Sequence, residues 1–89
     1  MVQEAKEKLG DRNMTLMAEI LELEQFNESK MEALSPYRQE DTPSFKYSKD
    51  KMRWHDFGGD GRSCDIIDAL IQTGLTYTQA VKKLFEYAD

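Results

Sequence analysis

Eighty-nine residues carrying 12 Lys or Arg against 17 Asp or Glu, a formal charge of −5, describe one small acidic domain. A chain this short buries only about 60% of its unfolded surface, and its net charge excludes simple whole-surface affinity for nucleic acid. A single Cys excludes an internal disulfide and suits a reducing cytosol. With no apolar run near twenty residues and no secretory signal pattern, the chain reads as a soluble, cytoplasmic protein with no membrane partner.

Residues 2–9 are helix formers with Val2, Ala5 and Leu9 on one side, and Gly10 is placed to stop them. Asn13 or Thr15 then caps a second helix whose apolar stripe is Leu16, Met17, Ile20 and Leu21. That helix should fade after about Gln25, where Asn27 and Ser29 read as a turn. Residues 1–29 are thus a helical N-terminal extension.

The middle of the chain, 30–62, is strand-like and ends in a loop. Met31 to Leu34 is a short strand that Pro36 should end. Ser44 to Ser48 alternates aromatic with polar residues, the period-2 sign of a half-buried strand, and Met52 to His55 repeats it. Lys49-Asp50-Lys51 lies between them as the turn. The two runs make an antiparallel hairpin with Phe45, Tyr47, Met52 and Trp54 inward, leaving Lys46 and Arg53 on the outer face. Gly58-Gly59-Asp60-Gly61 follows as a loop in which glycine permits positive φ and close backbone approach.

Residues 63–89 read as a helical pair. Ser63 caps a helix with apolar positions Ile66, Ile67, Leu70 and Ile71, stopped by Gly74; Cys64 is a small, partly buried residue in its first turn. Thr76 to Gln79 is a capping-box signature. It opens a helix whose apolar face is Tyr77, Ala80, Val81, Leu84, Phe85 and Ala88, a spacing that reads as core. The fold class is α+β: one domain over 1–89 with a small antiparallel sheet flanked by N-terminal helices and two C-terminal helices.

Charge is unevenly distributed along this frame. Residues 1–33 hold four basic and eight acidic side chains, and 63–89 hold two and four. Residues 34–62 hold six basic (Arg38, Lys46, Lys49, Lys51, Arg53, Arg62) and five acidic, so only the middle escapes net acidity. Lys46, Lys49, Lys51 and Arg53 fall within eight residues. They read either as a phosphate-binding stretch or as a solvated hairpin tip whose lysines blunt an edge strand. The metal-ligand inventory is poor: Cys64 and His55 are the only soft donors, nine positions apart, and cannot close a four-ligand zinc site. Asp56, Asp60 and Asp65 could offer oxygens to a hard cation, but without the alternating acidic spacing of a calcium loop. No nucleophile–base pair or convergent carboxylate set marks an enzyme.

After an opening Ser-Pro-Tyr-Arg from Ser35, three words stand in order along the chain: Thr-Pro-Ser-Phe from Thr42, Trp-His-Asp-Phe-Gly from Trp54 and Asp-Ile-Ile-Asp from Asp65. Over about residues 30–86 this resembles the zinc-ribbon domain at the front of DNA primases, which writes Cys-Pro-Phe-His, Thr-Pro-Ser-Phe and His-Cys-Phe-Gly-Cys before an acidic residue opening an apolar helix. The resemblance places Ser35, Arg38, Asp56 and Gly59 at the four metal-ligand positions, so it is to a degenerate, metal-free version needing no cofactor. The Phe57–Asp65 loop is about one residue longer than the family's usual spacing, and Ser63-Cys64 replaces a typical Gly-Gly. The Ser-Pro-aromatic-Arg opening is similar to that of primase-like proteins of mobile elements and phages. The aromatic cluster Phe45, Tyr47, Trp54 and Phe57 suits a ribbon that replaces the metal's cross-link by packing.

The resemblance implies a non-catalytic module that binds single-stranded template DNA beside a DNA polymerase, primase or helicase partner. The implied phosphate contacts are Arg38, Lys46, Lys49, Lys51, Arg53 and Arg62. Tyr37 and His55 are the implied base-stacking groups. Three positions have a second reading. Trp54 is either a further stacking group or the largest core residue; His55 is a contact or a solvated outer position; Arg38 is a phosphate contact or the partner of Asp56 across the former metal site. A second function class is a protein-interaction adaptor or inhibitor docking on a replication enzyme or another nucleic-acid enzyme, which an exposed aliphatic stripe on residues 14–23 would favour.

Overall fold

The computed structural model describes residues 1–39, 41–59 and 61–89; Asp60, counted above among the oxygen donors and in the glycine loop, lies outside them. Among these residues the order is α1 (Val2–Leu9), α2 (Arg12–Ile20), β1 (Glu32–Ala33), β2 (Phe45–Ser48), β3 (Arg53–Asp56), β4 (Ser63–Cys64), α3 (Ile66–Gln72) and α4 (Tyr77–Ala88). This is the expected α+β architecture. The strands pair antiparallel in the order β1-β2-β3-β4.

The N-terminal helices are part of the core. Ala5 and Leu9 of α1 are buried, and α1 packs against α4. Neither proposed residue caps α2, whose N-cap is Asp11. Asn13 is fully buried and turns back instead, its Nδ2 donating to the carbonyls of Lys6 at 2.7 Å and Gly10 at 2.8 Å. It therefore gives a second hydrogen bond to two carbonyls at the end of α1 that already accept from the Gly10 and Asn13 N–H groups. Thr15 Oγ1 donates to the Arg12 carbonyl. The helix stops at Ile20, well before Gln25, and Glu22 and Gln25 both adopt a left-handed φ of 53° that no helix continues through.

Register sorts the sheet into two faces. Tyr47 pairs with Trp54, Phe45 with Asp56 and Trp54 with Cys64, so Phe45, Tyr47, Trp54 and Cys64 all point inward and are buried. Lys46 pairs with His55, Ser48 with Arg53 and His55 with Ser63, which places those five side chains on the solvent face. Met52 does not join the inward set: it sits in the turn at φ 53°. Phe57 is outside the core as well, at 67% exposure. Phe26 takes its place, its ring edge-on to Trp54 at 5.8 Å, while Phe45 stacks on the indole at 5.1 Å and Tyr47 tilts against it at 5.7 Å. Trp54 is thus core, fully buried among three rings.

The C-terminal pair begins later than its sequence suggests. Ser63 and Cys64 are a fourth strand rather than a cap and first turn, because the chain stays extended against β3 until Asp65. Asp65 caps α3 reciprocally with Asp68, and Thr76 caps α4 reciprocally with Gln79. Ile66, Ile67 and Leu70 of α3 are buried. On α4 only Ala80 and Leu84 are buried; Val81 and Ala88 are half-covered, and Tyr77 and Phe85 are exposed, as is Ile71 on α3. The α4 stripe is narrower than its spacing implies because only its positions toward α1 and α3 are covered. No helix among the described residues is long and apolar enough to cross a membrane.

Candidate nucleic-acid interface

The four positions aligned with metal ligands meet at one end of the sheet. Asp56 closes β3 on the buried face, two residues after Trp54, and is 1% exposed. Its Oδ2 accepts from Arg38 Nη1 and from Ser35 Oγ at 3.0 Å, and its Oδ1 accepts from the Gly58 N–H at 3.1 Å. Arg38 Nη2 donates to Ser44 Oγ at 2.6 Å, and Ser35 Oγ accepts from the Tyr37 N–H at 3.2 Å. Gly58 and Gly59 run against this pair: a Cβ on Gly59 would stand 2.5 Å from Arg38 Nη1 and 2.9 Å from Asp56 Oδ2. Backbone approach that close needs glycine.

Burial alone would raise the Asp56 carboxyl. The hydrogen bonds from Arg38, Ser35 and Gly58, together with the Arg38 charge, outweigh it and hold the group below the usual carboxylate range. The corner therefore keeps its own cation and its own anion. A zinc ion needs four thiolate or imidazole donors, whereas here the one carboxylate is saturated and a guanidinium stands beside it. These residues do not fit the metal. Among the described residues no group of three or more His, Cys, Asp or Glu is gathered to hold one. Of the two readings of Arg38, pairing with Asp56 is the one the geometry favours.

The solvent face of the sheet gathers a different set. Lys46 and His55 are cross-strand neighbours, Arg53 lies two residues before His55, and Lys49 and Lys51 are exposed in the turn joining β2 to β3. Several of these cations face carboxylates. Lys46 Nζ is 3.1 Å from Glu32 Oε1, Lys49 Nζ is 3.8 Å from Asp11 Oδ2, and Arg53 Nη2 is 3.3 Å from Asp68 Oδ2. Lys51 makes no ion pair with a described residue. Surface pairs of this kind are worth about 0–1 kcal/mol, so a phosphate can displace the carboxylate from the lysines.

The aromatic groups divide between the sheet and its edge. The His55 ring lies 4.5 Å from that of Phe57, a half-buried ring against an exposed one. Tyr37 is elsewhere, beside α3: it is half-buried, its hydroxyl accepts from Gln72 Nε2 at 3.0 Å, and Arg62 lies over its ring at 4.9 Å. Burial is the main cause of its raised pKa. Both Tyr37 and Arg62 are thus engaged with each other, apart from the lysines. The structure brings together Lys46, Lys49, Lys51, Arg53 and His55; Arg38 is turned to Asp56, and Tyr37 and Arg62 lie beside Ser63 and Asp68, the side chains that hold Arg53. Phe57, whose place in the sequence suggested a core aromatic, joins this surface as a functional candidate.

The stripe on residues 14–23 is turned mostly inward. Met14, Met17 and Ala18 are buried, and Leu16, Ile20, Leu21 and Leu23 pack half-buried against the core. Comparison with protein families gives a match to the CHC2 zinc finger, the zinc ribbon of DNA primases, over residues 3–89. It takes in both N-terminal helices, beyond the segment in which the three sequence words fall. Comparison with curated proteins gives no match.

Proposed function

Because the chain belongs to the CHC2 zinc finger family, we propose that it is a non-catalytic module that binds single-stranded template DNA. It works without zinc, beside a polymerase, primase or helicase, in replication of a phage or mobile element. The observation that carries this reading is the solvent face of the sheet. In a chain of net charge −5, Lys46, Lys49, Lys51 and Arg53 collect on one hairpin next to the His55–Phe57 pair, of which Phe57 is exposed. Cations that track a backbone beside rings that accept any base are what sequence-tolerant single-strand binding requires. The carboxylates around them make the intrinsic affinity weak, which suits a module held in place by a catalytic partner.

Fluorescence anisotropy of a labelled single-stranded oligonucleotide, at low and moderate salt with a duplex control, tests the reading. Salt-sensitive binding that prefers the single strand is expected. Replacing Lys46, Lys49 and Lys51 by Ala together should abolish it while the far-UV circular dichroism stays unchanged. In the single Lys→Ala variants, each phosphate that is no longer neutralised flattens the dependence of log K on log[salt] by about 0.7. No binding even at low salt overturns template recognition and leaves the adaptor class standing.

A further inference from the structure

Resting on that single-strand reading, the geometry points to Arg53 as a base-stacking residue rather than a phosphate clamp, with His55 on β3 and Phe57 just past its end as further flat groups. The guanidinium binds phosphate through the N–H groups at its edge. In Arg53 that edge is already turned on the protein. Nε donates to Ser63 Oγ at 3.3 Å, Nη2 donates to Asp68 Oδ2 at 3.3 Å, and Nη1 stands 3.9 Å from Asp65 Oδ2.

These acceptors are fixed in place. Asp65 Oδ1 accepts from the Asp68 N–H at 2.9 Å and Asp68 Oδ2 from the Asp65 N–H at 3.1 Å, closing the cap of α3; Asp65 Oδ2 also holds Lys6 Nζ at 2.9 Å. A phosphate reaching the edge of Arg53 would meet two pinned carboxylates of its own sign. What the side chain, about a third exposed, has left to offer is its flat face. A guanidinium plane stacks on a nucleobase as an aromatic ring does.

Strand periodicity extends the surface. Arg53 and His55 share the outer side of β3; Phe57, in the turn one residue past its end, is exposed, and its ring touches that of His55. Phosphates then fall to Lys46 across from His55 and to Lys49 and Lys51 at the tip. One strand of the hairpin takes bases, and its neighbour and turn take the backbone.

The test compares the wild-type protein with its Arg53→Lys and Phe57→Leu variants on a labelled single strand and on the same strand carrying abasic sites, across a salt series. Arg53→Lys keeps the charge and removes the plane. Stacking predicts that it weakens binding to the normal strand about tenfold. The salt slope stays unchanged, and variant and wild type bind the abasic strand alike. Phe57→Leu, at an exposed position that leaves the fold intact, should behave the same way. Wild-type affinity in Arg53→Lys, or a weakening that persists in full on the abasic strand, overturns the assignment while single-strand binding survives. Absence of salt-sensitive binding by the wild type overturns the reading beneath it as well.

Discussion

Asp56 illustrates how a single buried charge stands in for a cross-link. At 1% exposure it stays ionised because Arg38, Ser35 and the Gly58 N–H all point at it. Removing the cation alone leaves an uncompensated carboxylate in the interior, so Arg38→Met should cost about 3 kcal/mol near pH 7. The pH dependence gives a second check with a defined sign. In the wild type the folded-state carboxyl lies below its unfolded value. Its contribution is therefore full above the unfolded pKa of about 3.9 and is lost as pH falls through the folded one. In Arg38→Met the folded carboxyl, buried without its cation, moves above 3.9, and its penalty grows as pH rises. Asp65, whose carboxyl is also lowered, titrates alike in both proteins and cancels in the difference. Urea unfolding followed by the single Trp, buried Trp54, should show the two stabilities converging between about pH 7 and pH 3. A constant gap would remove Asp56 from the account.

Elements were legible where local chemistry alone decides them. The hairpin follows from period-2 alternation, and α4 from the Thr76–Gln79 capping box. The same alternation, carried past the strand's end, puts Phe57 on the same outer side as Arg53 and His55; grouping it with the inward aromatics broke the period that had placed Trp54. Strand β4 has only two residues, too few for any period to register, and Ser63 is a good cap in isolation. The metal-position corner was visible as four positions, but that they touch depends on chain folding. Least legible was Lys6. It reads as a surface residue on α1, yet is 7% exposed and reaches Asp65 across 59 residues of sequence. This pair fastens the first helix to the cap of the third. Lys6→Met keeps the stem's packing and strips Asp65 of its nearest cation, at a cost of about 2 kcal/mol. Lys8→Met, exposed on the same helix, should stay within about 0.5 kcal/mol of wild type. Equal effects in parallel denaturant titrations would show that α1 is held by its apolar face alone.

At the scale of the whole molecule the question is what replaces a metal. A structural zinc ion supplies about 10–16 kcal/mol of apparent binding energy to a small domain, far more than one ion pair returns. The Arg38–Asp56 corner can restore the shape of the ribbon's end but not that energy. The difference has to come from burial, and here the N-terminal helices matter: Leu9 of α1 and Met14 and Met17 of α2 join the same core cluster as Phe45, Trp54 and Leu84. Met17 is fully buried, so Met17→Ala should cost about 2–5 kcal/mol. That is a large share of the total for a chain of 89 residues. On the proposed zinc-free reading, a core-held ribbon with a saturated corner gains nothing from zinc. Thermal unfolding of the wild type in excess chelator, and again in excess zinc, should therefore give superimposable curves. A ligand that binds only the folded state raises the midpoint as its concentration rises. A midpoint that climbs with zinc and falls with chelator would mean that a donor set beyond Ser35, Arg38, Asp56 and Gly59 still holds a metal.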